Sequence, residues 1–315
     1  MYQDIPYTEE EKQLLRHCEL CPRKCGANRL EGEKGFCNCG VGLEIAMICN
    51  HKGEEPIICK ERGICNVFFS HCNLQCVYCQ NKQISDNKTC VKQAFDSFEQ
   101  VIEKIIEVLK ESENVLGFVS PTQHQMLMKA IIREIRKRGY NPITIYNTNA
   151  YDNPQMINQL EEYVNVYLPD YKYALNSLSS LLSRAEDYPQ MAFESIKEMY
   201  RQKGNSILTD GDGNLESGLI VRHLVLPNQL DNTRQVLENI TDISFNLTVS
   251  LMSQYAPNEE YPHSFLNRPL SQQEYDEACD MFQNLGLHKG YFQALTSQNN
   301  LVPDFDKGTW SKGEN

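Results

Sequence analysis

Three cysteines, Cys72, Cys76 and Cys79, stand in the run Ser70-His71-Cys72-Asn73-Leu74-Gln75-Cys76-Val77-Tyr78-Cys79-Gln80-Asn81, separated by three and then two residues. Thiolates at that spacing can wrap one corner of an iron-sulfur cube. Four cysteines normally close the shell of such a cluster, so three leave one iron open to a small chelating molecule. An amino acid suits it through its amine and carboxylate. The alternative is a zinc loop or scattered structural thiols, and a zinc loop would normally show a second cysteine or histidine pair at finger spacing. Cys90 is the one nearby candidate.

A second group precedes the first. Cys18, Cys21, Cys25 and Cys37 are separated by two, three and eleven residues, on turns that carry Pro22, Gly26, Gly32 and Gly35. Four soft ligands of this kind close a tetrahedral zinc site or hold a second cluster, and spacing does not separate the two. The Cys-Pro and Cys-Gly turns favour structural zinc. A knuckle this small has almost no core, so bound metal would supply much of its folding energy. Cys49, Cys59 and Cys65 lack compact spacing and read mostly as packing thiols, with Cys39 or Cys65 open as an auxiliary ligand; Cys279 reads as a packing residue in a helix.

The chain has 315 residues, enough for one large α/β barrel with an extension. Its thirteen cysteines, twelve of them before residue 91, would suit a small secreted disulfide scaffold. A chain of this length without a signal peptide fits metal ligation better. The net charge of -12 and pI near 5.1 argue against a nucleic-acid partner held by its phosphates. No run of 18 apolar residues stands in the sequence and the first residues lack a signal-peptide pattern, so a cytoplasmic protein with no membrane partner is expected.

Short β-rich runs alternate with helical ones from residue 65 onward, the pattern of βα units on a parallel sheet. Strands are expected at Cys65 to Ser70, Val115 to Ser120, Ile143 to Asn147, Val164 to Pro169, Leu219 to Leu226 and Leu247 to Met252. Helices are expected over residues 1 to 17, 97 to 110, 123 to 138, 153 to 163, 189 to 203, 231 to 240 and 271 to 285. The expected architecture is α/β, a partial (β/α)6 TIM barrel. It divides as a Cys-rich extension over 1–60, the barrel over 61–298 and a tail over 299–315 that docks across the barrel or frays.

The C-x3-C-x2-C loop, with Tyr78 before its last cysteine and Asn66-Val67-Phe68-Phe69-Ser70 leading in, resembles the radical S-adenosylmethionine (SAM) superfamily. Lys172 in Asp170-Tyr171-Lys172, the run Asn147-Thr148-Asn149, Arg222 ahead of Val225-Leu226-Pro227, and the front cysteines resemble the subgroup similar to pyruvate formate-lyase (glycyl radical enzyme) activating enzymes. The resemblance implies a 4Fe-4S cluster on Cys72, Cys76 and Cys79, with SAM on the open iron. Reductive cleavage would give a 5′-deoxyadenosyl radical that abstracts hydrogen from a substrate. It also implies an electron donor such as flavodoxin or ferredoxin, and a substrate that is either a glycine of a glycyl radical enzyme or another peptide or small molecule. A non-catalytic iron-sulfur electron-transfer or interaction protein is the alternative.

Reactive groups of a parallel α/β barrel sit at the carboxyl ends of its strands. That rule and the resemblance together assign Lys172 and Asp170 to the SAM carboxylate, Arg222 to a carboxylate, and Tyr78, Asn147, Thr148 and Asn149 to the cofactor surroundings. Ser120 or Thr122 stands where the superfamily usually shows a Gly-Gly-Glu run for the SAM amine, and Gln254 is offered to the adenosyl ribose or adenine. His124 either caps a helix or reaches ligand, and Met252 is a packing residue. Asn147 departs from the aspartate usual in the subgroup, and no ferredoxin-like insert follows Cys79.

Overall fold

Apolar runs rich in β-branched and aromatic residues build one sheet. The structure, a computed structural model, describes residues 4–89, 93–299, 303–305, 307 and 309–310; Cys90 lies outside them. The strands are β1 (Ile45–His51), β2 (Ile64–Phe69), β3 (Val115–Val119), β4 (Ile143–Thr148), β5 (Val166–Pro169), β6 (Leu208–Thr209), β7 (Leu215–Leu224), β8 (Thr248–Met252) and β9 (Gly290–Phe292). They lie in the order β1-β2-β3-β4-β5-β7-β8-β9, with β6 paired to β7. From β2 to β9 the path is parallel, whereas β1 runs antiparallel to β2 with Ile48 opposite Val67.

The six expected strands all form, and two more join them on the main path. β9 adds a seventh parallel strand and β1 an antiparallel edge, so the fold is an α/β fold on a mostly parallel sheet rather than a six-stranded set. β1 and β9 are its two edges, and no ladder joins them among the described residues. β7 begins four residues earlier than expected because it extends into a hairpin, with Leu208 opposite Ser217.

The helices are α1 (Glu9–Arg16), α2 (Lys82–Ser85), α3 (Phe98–Glu111), α4 (Gln125–Lys137), α5 (Pro154–Asn158), α6 (Asn176–Ser183), α7 (Tyr188–Lys203), α8 (Leu230–Ile243) and α9 (Gln272–Asn284). Side-chain caps start several of them: the Ser97 hydroxyl accepts from Gln100 N at α3, and reciprocal Ser-Glu and Thr-Glu boxes open α9 and α1. α3 then buries Phe98, Val101, Ile102, Ile105, Val108 and Leu109, a stripe at helical spacing. The helix expected over 153–163 stops at Asn158, and the chain turns where Leu160 O accepts from Tyr163 N and Val164 N. α6, with five polar residues in eight, was not anticipated.

Strand alternation divides the core. Cys65, Val67, Phe69, Leu116, Phe118, Tyr146, Tyr167, Leu219 and Val221 pack under the helices. On the other face Ile64, Val115, Ile145, Val166 and Ile220 form a second cluster, packed by Ile57 and Cys59 of the β1–β2 connection. Among the described residues no helix is long and apolar enough to cross a membrane. Phe118 is fully buried and stacks on Phe69 with ring centroids 6.1 Å apart. Phe118→Ala is therefore expected to lower the unfolding free energy by about 3–5 kcal/mol, measured by urea denaturation; a loss under about 1 kcal/mol would contradict this packing.

Candidate active site

A cavity of about 240 Å³ opens on the inner face of the sheet at its carboxyl end. Cys72, Cys76, Cys79 and Tyr78 line it together with Ser120, Asn147, Thr148, Asn149, Asp170, Lys172, Arg222 and Gln254. Of the expected site residues around the three-cysteine loop, Thr122 alone is absent from the lining. It is fully buried, and its hydroxyl pairs with that of Thr148 at 3.2 Å. The Thr148 hydroxyl donates in turn to buried Asp152 at 2.6 Å, so this pair belongs to a structural network under the cavity wall.

Charge is concentrated on one side of the cavity. Asp170 accepts from Arg222 Nε on one carboxylate oxygen and from Lys172 Nζ on the other, both at 2.7 Å. Burial alone would raise the Asp170 carboxyl, but the Arg222 and Lys172 cations outweigh it and hold the group below the usual carboxylate range. Burial would also discharge Lys172, and Asp170 with Cys76 keeps its ammonium charged. Arg222 reaches further, to Asn147 Oδ1 at 2.6 Å and Glu54 Oε2 at 3.4 Å. With two carboxylates already on the guanidinium, a neutral amide at 147 completes its shell, which accounts for asparagine in place of an acid.

The three sulfurs have their own donors. Asn149 Nδ2 and Leu74 N each lie 3.4 Å from Cys72 Sγ, Ser183 Oγ lies 2.9 Å from Cys76 Sγ, and Ser85 Oγ lies 3.3 Å from Cys79 Sγ. Tyr78 and Tyr173 hydroxyls (2.6 Å) and Tyr173 and Ser183 hydroxyls (2.7 Å) continue the Cys76 donor into a chain. Burial pushes the Cys72 thiol well up, neighbouring Cys76 and Cys79 add to this, and Lys172 opposes it. The donor set fits a thiolate-held cluster: three mutually interacting soft sulfurs face one cavity, with hydrogen bonds and a cation to offset their negative charge.

The loop carrying these sulfurs is clamped at its base. Asn87 Oδ1 accepts from Cys72 N at 3.1 Å, and Asn87 Nδ2 donates to Cys72 O at 3.0 Å. His71 takes a left-handed φ of 67°, its N–H bonds Ile84 O, and its ring meets Glu44 at 2.9 Å. His124 stands at the N-cap position of α4 without a side-chain cap bond and does not line the cavity; its ring pairs with Ser70 O at 2.9 Å and stacks on Phe69. Gln254 lines the cavity, but its Oε1 is engaged by Gln293 Nε2 at 3.0 Å.

The front cysteines pack behind this loop. Cys18, Cys21 and Cys37 are buried and Cys25 is exposed. Burial pushes Cys21 up to about 12, and Cys37, Cys18 and Cys25 act on it in the same direction. Arg29, 3% exposed, hydrogen-bonds the Gly40 and Gln123 carbonyls and stands 3.9 Å from Cys18 Sγ. Among the described residues no group of three or more His, Cys, Asp or Glu side chains, neither the front cysteines nor Cys72, Cys76 and Cys79, is placed to hold a single metal ion. Cys39 and Cys65 are fully buried, Cys49 and Cys59 half-buried, and Cys279 packs beside Leu270, Tyr275 and Ala278.

Several functional groups escaped sequence reasoning. His51 at the end of β1 and Glu54 in the β1–β2 connection line the cavity, and Asn66 Nδ2 donates to Glu54 Oε1 at 3.1 Å. Glycine at 117 is required there, because a Cβ would collide with the Asn66 amide oxygen. Glu55 is 9% exposed with its Oε2 unbonded among the described residues, and burial raises its carboxyl. The only signal was two adjacent acids in the polar run His51-Lys52-Gly53-Glu54-Glu55-Pro56, which reads equally as a surface turn.

His223 fastens the strand that carries Arg222. Its Nδ1–H donates to Tyr171 O at 2.7 Å, and Nε2 pairs with the Thr233 hydroxyl at 3.0 Å. Burial lowers its pKa to about 4. The unfolded chain takes up a proton near pH 6.5 that the folded chain refuses, so this stability is complete above that pH. It falls as pH drops toward 4, by about 3 kcal/mol in all. Urea unfolding between pH 7.5 and 4.5 should show this slope and show it reduced in His223→Gln; equal slopes would contradict the assignment.

Comparison with known proteins adds to this geometry. A protein of Methanocaldococcus jannaschii described as uncharacterized is 29% identical over 288 residues, which cover 89% of this chain and 78% of that protein. The solved structure of native anSMEcpe with bound AdoMet is 16% identical over 70% of this chain and 61% of that one, with a TM-score of 0.47. Streptococcus suis SuiB bound to S-adenosylmethionine is 10% identical over 74% of this chain and 53% of that one, with a TM-score of 0.48. The chain thus spans 61% and 53% of the lengths of these two solved structures. The model of the radical SAM superfamily matches residues 66–205, the stretch that holds Cys72, Cys76, Cys79, Asp170 and Lys172, and this match supports the radical SAM superfamily for the chain.

Proposed function

We propose that the chain is a radical SAM enzyme whose reaction chamber is the cavity under the Cys72–Cys79 loop. The observation that carries this reading is that three cysteines on one loop share a cavity with Asp170, Lys172 and Arg222 from the ends of two neighbouring strands. A 4Fe-4S cluster on Cys72, Cys76 and Cys79 with SAM bound supplies one-electron cleavage of SAM and a hydrogen-abstracting 5′-deoxyadenosyl radical.

The chain's own residues do the rest. Lys172 offers an ammonium to the SAM carboxylate while Asp170 holds it in place, and Arg222 sets the other edge of that carboxylate's position. Ser183, Ser85 and Asn149 donate to the sulfurs and so orient them toward the cavity. Tyr78 lines the cavity, held from behind by the Tyr173 hydroxyl, and limits water at that wall. A flavodoxin or ferredoxin is the proposed reductant, and a polypeptide, including the glycine loop of a glycyl radical enzyme, or a small molecule is the proposed substrate. The four front cysteines are proposed to hold a second centre, zinc or iron-sulfur. Arg29 supports this: a buried guanidinium 3.9 Å from Cys18 Sγ favours a thiolate there.

Anaerobically reconstituted protein with dithionite and SAM should release 5′-deoxyadenosine, and Cys76→Ala should release none. A reconstituted sample that binds SAM and yields no 5′-deoxyadenosine would point to the non-catalytic electron-transfer alternative. Metal analysis should find zinc or iron beyond one four-iron cluster, lost in Cys21→Ser; equal metal in both proteins would contradict the second centre.

A further inference from the structure

The two edges of the open sheet are bridged by the tail. β9 forms one edge, yet Phe305, thirteen residues beyond the end of β9, is seated against Ala46 of β1 at the other. Its ring is 4% exposed, packs with Phe68, Ile84 and Val119, and meets Phe68 edge-on with centroids 5.4 Å apart. Pro303 lines the same cavity as Cys72, Cys76 and Cys79. The backbone N–H of Phe305 donates to Gln83 Oε1 at 2.8 Å, and Gln83 Nε2 approaches Asp304 Oδ1 at 3.4 Å. Gln83 stands on α2, directly behind the loop that carries the cysteines. Pro303 pairs with Trp310 and Asp304 with Thr309 in an antiparallel ladder.

We infer that this seat, between α2 and the ends of β1, β2 and β3, is a docking groove for an extended polypeptide bearing an aromatic side chain, and that residues 303–305 occupy it until such a peptide displaces them. Two features select that occupant. The apolar floor of Phe68, Ile84 and Val119 takes a ring, and the Gln83 amide offers an acceptor to a main-chain N–H, which recognises extended backbone whatever its side chains. The groove opens on the cavity, so the inference rests on the proposed reaction chamber for its purpose but not for its detection.

The test uses full-length protein in two forms, wild type and Phe305→Ala, with a labelled synthetic peptide of residues 300–315 as the probe. Phe305→Ala frees the groove, so fluorescence anisotropy should show the peptide binding at least tenfold more tightly to this variant than to wild type. Adding Gln83→Ala to the variant should weaken that binding at least several-fold, and a peptide with alanine at 305 should not bind. Emission from Trp310, the single tryptophan, should differ between wild type and Phe305→Ala. Equal affinity for both proteins, or no binding to folded Phe305→Ala, overturns the inference. No SAM or reductant enters this assay; 5′-deoxyadenosine release scored on the same preparations reports separately on the chamber.

Discussion

Asp170 holds together what hydrogen bonding along the sheet leaves apart. β5 ends in Pro169, which has no N–H to donate, and its ladder to β7 consists of Val166 with Gly218 and Tyr167 with Leu219. Beyond that gap Asp170 bridges Arg222, and Tyr171 N bonds Arg222 O at 2.8 Å. One carboxylate thus joins two strands, fixes a lysine and an arginine, and keeps both charges at the cavity wall. Removing one partner of such a buried arrangement costs more than the pairing contributes, because a desolvated cation is left alone. The position of Lys172 relative to the cysteines follows from this pairing.

The cysteine loop obeys a related constraint. Cys72, Cys76 and Cys79 belong to an irregular segment whose backbone polar groups have no ladder, so side chains must satisfy them. Asn87 bonds both backbone groups of Cys72, Gln75 donates to Leu74 O, and Arg23 reaches in from outside the loop. Asn87 also donates to Phe36 O, and Arg23 donates to Asn73 O while lying over the Phe36 ring. The front cysteine segment is thereby bolted to the loop through residues flanking Cys37, and whatever orders one will order the other.

The strands and most helices were legible because periodicity reports burial. The run Asn66 to Ser70 is apolar on both faces, as a parallel central strand requires, and α3 shows its stripe and its cap. β1 was hidden because Ile45 to His51 lies in a cysteine-bearing segment that reads as loop, and an antiparallel edge leaves no local signature. α6 was hidden because its serines and asparagine favour turns in isolation, while burial of Leu178 and Leu182 decides the outcome. The cavity's charged residues were placed by the rule for strand ends. Glu54 and Asn66 could not be, since only the fold shows that the β1–β2 connection reaches the inner face. Thr122 was placed in the cavity by position in sequence, whereas the left-handed turn at Ser120, with a φ of 55°, precedes a 3-10 turn in which the Thr122 hydroxyl meets Thr148.

Electron paramagnetic resonance on the dithionite-reduced, reconstituted protein tests the central claim most directly, because an iron left open by a three-cysteine loop must change its ligands when SAM binds. The account predicts a reduced-cluster signal whose g-values move on addition of SAM, and loss of that response when Cys72, Cys76 and Cys79 are replaced by alanine. A signal identical with and without SAM, or a SAM response that survives loss of the three cysteines, would contradict it.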